Sequence, residues 1–126
     1  MPSPTTGTTS RRALVVAADM ATHRLCRAAL ETSGLAVDGV DSGMAALMSA
    51  REVLPDLIVI DQQLRDVSGQ EAIGWLRSNP TLRATPIIAL TTGADDATGL
   101  AIAPGAALRK PLSPVAIRRA IRAALA

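Results

Sequence analysis

The run Leu57-Ile58-Val59-Ile60-Asp61 constrains this chain more than any other stretch. A strand that is half solvated alternates apolar and polar residues, whereas this one has no polar position until its last residue, so both of its faces need cover. Parallel sheets meet that need, because their crossover helices lie on each side. Asp61 then closes the run. An acid ending a buried strand is costly unless it finds water or a partner, and open α/β sheets place their ligands beyond the carboxyl ends of the strands. The expectation is a carboxylate that surfaces at the sheet rim.

Shorter apolar runs flank this one. Ala13 to Ala18, Leu35 to Val40, Pro86 to Thr91 and Ala106 to Arg109 read as four more strands. Helical spacing lies between them. Asp19 caps a helix from Met20 to Ser33 that presents Leu25, Ala29 and Leu30 on one face and stops at Gly34. Asp41 or Ser42 opens a second helix that ends before Pro55, and Gly69 to Ser78 forms a third, halted by Asn79-Pro80. Asp95 to Ala103 reads as a short helix weakened by Gly99 and Pro104. Ser113 followed by Pro114 is an N-cap with proline at the first helical position, with Ile117 and Ile121 inward. Strand and helix signals in strict alternation predict an α/β doubly wound parallel sheet with helices on both faces.

At 126 residues and 48% hydrophobic content, the chain can bury one core. Residues 1–10 are Thr, Ser and Pro without an apolar centre, so they read as a disordered tail and not as a signal peptide, with one domain over 11–126. A single cysteine, Cys26, rules out an internal disulfide, and no Cys/His pairing has metal-ligand spacing; a reducing cytoplasm is the expected compartment. No apolar stretch approaches the roughly 18 residues of a membrane span. The net charge of +2 does not point to nucleic acid, since the arginines are dispersed apart from Arg118, Arg119 and Arg122, and no Phe or Tyr is present to stack on bases. Those three arginines read as a solvated helix face, Trp75 as a core or half-buried anchor, and His23 as an exposed helix position without a second ligand or base near it in sequence.

Lys110 is the one lysine of the chain. Arginine would serve as a generic surface cation, whereas a compact ammonium on a flexible stem suits a moving contact to a carboxylate or to a phosphoryl group on it. With Leu14-Val15-Val16, Pro55 to Asp61, Gly69, Pro86 to Thr91, Gly105-Ala106 and Lys110-Pro111, the chain from about Arg12 onward resembles the receiver domain of two-component response regulators. The resemblance implies a flavodoxin-like (βα)5 fold with strand order 2-1-3-4-5. It implies Asp61 as phosphoacceptor, Thr91 as the switch hydroxyl, Lys110 as the cation paired with the acid, and a cis Lys110-Pro111 bond. Mg²⁺ is the cofactor it implies, held by Asp61, by a loop carbonyl at Gln63, and by Asp19 if that residue swings in. Helix capping is the plainer role for Asp19.

Several positions depart from the family pattern. The paired acids that help hold the metal are replaced by Ala17 and Ala18, Ala107 stands where an aromatic is usual, and Arg65 and Ser68 replace a proline and an acid after the phosphorylation loop. The segment from Thr91 to Lys110 is shorter than usual. Two functions of different class follow. One is a stand-alone receiver that accepts a phosphoryl group from a histidine kinase or phosphotransfer protein and signals to a downstream protein by contact. The other is a phosphorylation-independent pseudo-receiver, a protein-binding module that keeps Asp61 and Lys110 as a structural ion pair. Either acts through partner proteins rather than as a turnover enzyme, with partner contacts expected through the first helix beside Asp61 and through the last helix with its neighbours, the latter also the surface for a homodimer.

Overall fold

The structure, a computed structural model, describes residues 11–92 and 100–126. Five strands, β1 (Arg12–Val16), β2 (Ala36–Val40), β3 (Leu57–Asp61), β4 (Ile87–Thr91) and β5 (Ala107–Arg109), form one sheet in the order β2-β1-β3-β4-β5. Every pair is parallel, and the register sets Asp61 beside Leu90 and Thr91 beside Arg109. Among the described residues α1 (Met20–Thr32), α2 (Gly43–Glu52) and α3 (Gly69–Ser78) connect successive strands from β1 to β4, and α4 (Pro114–Ala124) follows β5. This is the doubly wound, flavodoxin-like architecture that the sequence implies.

Side chains alternate across the central strands, and each face collects its own helices. Val15, Val59, Leu57, Ile88 and Leu90 pack against Cys26 and Leu30 of α1 and Ile117 and Ile121 of α4. Leu14, Val16, Ile58, Ile60 and Ala89 pack against Ala46 of α2 and Ala72, Ile73 and Leu76 of α3. All five residues of β3 are buried, as the unbroken apolar run requires. Burial pushes the Cys26 thiol up to about 11, with the nearby Asp61 charge adding to the shift, so Cys26 packs as an inert apolar group.

Helix starts follow local chemistry. Asp19, Ser42, Ser68 and Ser113 each accept the N–H of the residue three positions on: Thr22, Ala45, Glu71 and Ala116. Ser42, not Asp41, therefore caps α2, and Asp41 instead faces Arg65 at 3.1 Å on the surface.

Three expectations need correction. β1 ends at Val16, so Ala17 and Ala18 belong to the turn into α1, with Ala17 still donating to the Val40 carbonyl at 3.1 Å. A 3-10 turn at Pro80–Leu82, capped by Asn79, follows α3, where the sequence pattern predicts no element. The helix expected over Asp95 to Ala103 falls largely on residues outside those described, and its last four positions, Leu100 to Ala103, carry no helix. There Leu100 and Ile102 pack on the α2/α3 side of the core as an irregular strap. Arg77 fastens that strap: Nε donates to the Ala101 carbonyl at 2.9 Å, while Nη1 reaches the carbonyls of Leu82, Arg83 and Thr85 at 3.0, 3.0 and 2.6 Å. Half-burial of the guanidinium lowers its pKa from the ordinary value without removing its charge.

Candidate functional site

The carboxyl ends of β3, β4 and β5 meet at one rim, where the parallel register brings together residues far apart in sequence. Asp61 ends β3. Its Oδ2 accepts from Lys110 Nζ at 2.6 Å and its Oδ1 from the Gln63 N–H at 3.1 Å. Lys110 follows β5 directly, and its own N–H donates to the Thr91 carbonyl at 2.7 Å, so the last rung of the β4/β5 ladder fixes where the ammonium stem starts. The Lys110–Pro111 peptide is cis. Thr91 is buried at the end of β4, with its hydroxyl directed at the Leu108 carbonyl at 3.5 Å and not at Asp61.

One expectation about the acid is overturned. Asp61 does not surface: its side chain is 1% exposed, against 23% for Lys110. Two causes are visible. Lys110 lies over the carboxylate, and the loop after β3 folds back on itself through an antiparallel Gln63–Ser68 bridge and a Gly69 N–H to Gln62 carbonyl bond of 2.9 Å. Burying a carboxyl group is costly unless its oxygens are paired, and here Lys110 Nζ and the Gln63 N–H pair them.

Gly69 makes that fold-back feasible. A Cβ at this position would lie 2.5 Å from the Asp61 carbonyl oxygen and 2.7 Å from the Gln62 Cα, and neither backbone atom can step aside cheaply. Gly69→Ala is therefore expected to cost about 1–3 kcal/mol in urea unfolding. It should also move the amide resonances of Gln62 and Gln63; a variant as stable as the parent with unmoved resonances would show that the contact is slack.

Asp66, which drew no attention in the sequence, ties the same loop to α2. Its Oδ1 accepts from Gly43 N at 2.8 Å and its Oδ2 from Met44 N at 3.0 Å, two amide groups at the start of α2 that Ser42 does not reach. Local pattern could not reveal this cap, because donor and acceptor lie on different elements. The Gly43 and Met44 amides hold the Asp66 carboxyl below the ordinary carboxylate range. Depression relative to the unfolded chain means that this stabilisation is complete above the unfolded pKa, about 4, and is lost as pH falls through the lower folded value. Acid unfolding curves should thus show Asp66→Asn losing its disadvantage as pH drops below about 4; a constant difference across that range would contradict the assignment.

Asp19 lies near the site but is committed elsewhere. Its Oδ1 accepts from Thr22 N at 2.8 Å and its Oδ2 from Thr22 Oγ1 at 2.7 Å, and these bonds lower its pKa. His23 is not the exposed residue expected. It is half-buried, and since a carbonyl can only accept, Nε2 donates to the Ala17 carbonyl at 2.6 Å. Arg118 is partly covered on α4, and Arg119 and Arg122 are exposed, with Arg118 and Arg122 beside Arg11. No helix is long and apolar enough to cross a membrane among the described residues.

The donors at the rim do not make a magnesium cage. Mg²⁺ wants near-octahedral oxygen ligation. Here Asp61 is already paired with an ammonium, both Asp19 oxygens are spent on Thr22, and Ala17 and Ala18 offer no side-chain oxygen. No group of three or more His, Cys, Asp or Glu side chains able to hold a metal occurs among the described residues.

A family model for the response regulator receiver domain matches residues 13–122. The chain belongs to that family. Receiver domains are regulatory domains of two-component signalling, not classical enzymes. The polar-differentiation response regulator DivK of Brucella ovis is 46% identical over 68 residues, 54% of this chain and 55% of that protein, so the chain spans about half the length of the curated relatives it matches. The chemotaxis response regulator CheY4 of Vibrio cholerae shares the fold with a TM-score of 0.84 at 24% identity, covering 93% of this chain and 100% of that one. The receiver domain of the sensor histidine kinase PA1611 of Pseudomonas aeruginosa is 26% identical with a TM-score of 0.82, over 93% of this chain and 98% of that one, and has magnesium coordinated in its active site cleft.

Proposed function

We propose that residues 11–126 act as a receiver whose phosphoacceptor is Asp61, with Lys110 as its charge partner and Thr91 as the responding hydroxyl. The supporting observation is the direct 2.6 Å contact between the one lysine and the strand-end acid, 49 residues apart in sequence. An Asp61 oxygen attacks the phosphorus of a phosphohistidine on a kinase or phosphotransfer protein. The P–N bond breaks, the imidazole leaves with its electron pair and takes up a proton, and Asp61 becomes an acyl phosphate. Lys110 Nζ shifts from the carboxylate to the new phosphoryl oxygens, and the Gln63 N–H stays as a donor beside them. Thr91 gives up its long bond to Leu108 and turns toward the phosphoryl group, which couples chemistry at β3 to the β4/β5 edge. The output passes to a downstream protein by contact.

Incubation with a small-molecule phosphodonor, read by intact mass, tests this. The parent gains one phosphoryl group and Asp61→Asn gains none. Because the rim lacks the acid pair, the gain is expected with or without magnesium.

The alternative, phosphorylation-independent binding by the same fold, is the less supported reading and rests on Ala17 and Ala18 standing in place of the acids. No mass gain with any donor, together with partner capture unchanged in Asp61→Asn, would decide for that reading.

A further inference from the structure

β2 is an edge strand, and no strand among the described residues pairs with its outer side. The Ala36 N–H donates to the Arg11 carbonyl at 2.9 Å and the Val40 carbonyl accepts from Ala17 at 3.1 Å, so residues 36, 38 and 40 address β1. By the two-residue period, the backbone groups of Val37 and Gly39 point away from the sheet. The Val37 carbonyl is met by Arg27 Nη1 at 3.4 Å, which agrees with that direction. Gly39 is exposed, and by the same period its N–H and C=O are directed outward. Edge strands are usually guarded by proline, by a bulge or by charged side chains; Ala36–Val40 has no proline and an unbroken register, and its one charged residue, Asp38, is paired with Arg12 at 2.7 Å.

A groove of about 520 Å³ runs along this edge, between Met20, His23, Arg24 and Arg27 of α1 on one side and Ala45 of α2 on the other. The two walls differ in chemistry. Arg24 is exposed and has no ion pair among the described residues, and Arg27 holds Glu31 by a long 3.4 Å contact beside its contact to Val37. The His23 ring lies against Gly39, where a Cβ would stand 3.1 Å from Nδ1, and it is anchored there by its bond to Ala17. Asp41 at the groove's end is already paired with Arg65. The α1 wall is therefore cationic. On the α2 wall, Met48 lies one turn beyond Ala45 on the same side and is 60% exposed.

We propose that the outer edge of β2 binds a short extended segment of a partner protein as an added strand, with acidic residues at alternate positions facing Arg24 and Arg27 and apolar residues facing Ala45 and Met48. The Gly39 N–H and C=O supply the main-chain pairing, and strand alternation delivers the two kinds of side chain to the two walls. This surface lies on the opposite side of α1 from Lys110 and Leu112 and does not depend on phosphorylation.

A blocked peptide of alternating glutamate and valine, titrated into the isotopically labelled full chain, provides the test. Expected are saturable shifts of the Val37 to Val40 amides, slowed hydrogen exchange at Gly39, and affinity at least about tenfold weaker in the R24E/R27E variant. The same loss should follow in the parent when salt is raised to about 1 M, which keeps the test valid should the variant fold poorly. A lysine-valine peptide should not bind. No saturable shift at Gly39 up to about 1 mM peptide, equal binding of the lysine-valine peptide, or shifts confined to residues around Lys110 or Arg118 would overturn the proposal.

Discussion

Replacing Lys110 with methionine is expected to destabilise the protein by about 3–5 kcal/mol, because it strands a buried carboxylate without its cation. The size follows from burial. Asp61 is 1% exposed and would keep only the Gln63 N–H at 3.1 Å as a partner. The ion pair itself is not the source of that figure, since bringing both charges out of water offsets most of their attraction. The combined Asp61→Asn, Lys110→Met variant should therefore recover most of the loss, as the orphaned charge is gone. Urea unfolding of the parent, the two single variants and the double variant closes the cycle. A Lys110→Met cost under about 1 kcal/mol would mean that the carboxylate reaches water without the lysine.

Arg77→Ala is expected to cost about 2–4 kcal/mol, through loss of charge-assisted hydrogen bonds to carbonyls that stay partly buried. Of the four carbonyls it meets, those of Leu82 and Thr85 lie in part-buried contacts, and they carry most of the effect. The bonds to Ala101 and Arg83 are exposed, and water replaces them at small cost. Arg77→Lys should rescue little, because one ammonium on a single stem cannot reproduce a planar fork that reaches Ala101 through Nε and three further carbonyls through Nη1. Hydrogen exchange should quicken around Leu100 to Ala103 and Thr85 while β3 stays protected. Loss of less than about 0.5 kcal/mol, within the range of ordinary surface changes, would show that the strap is held by Leu100 and Ile102 alone.

These two cases mark how far the sequence could be read. The unbroken apolar run ending in Asp61, the caps at Asp19, Ser42 and Ser113 and the glycine after α1 are local signals, and the elements begin and end close to where those signals put them. The meeting of Asp61 with Lys110 was legible only through resemblance, since nothing local encodes a contact between residues 49 apart in sequence. What failed depends on tertiary cover. Asp61 was read as exposed because strand-end exposure is set by the loop that Gly69 allows to fold back, a close approach with no local signature. His23 was read as solvated because its acceptor is a backbone carbonyl, and carbonyls carry no residue identity. Arg77 and Asp66 act on backbone groups of other elements, and for the same reason no spacing betrays them.

In the proposed function Lys110 balances the Asp61 charge, while Ala17 and Ala18 offer no acid pair to hold a metal. Magnesium titration of the parent and of the A17D/A18D variant, followed through the amides of Asp61 to Gln63, tests this most directly. The account predicts unmoved resonances in the parent up to about 10 mM magnesium and saturable shifts in the variant, where oxygen ligands have been restored. Saturable millimolar binding by the parent at those amides would contradict it.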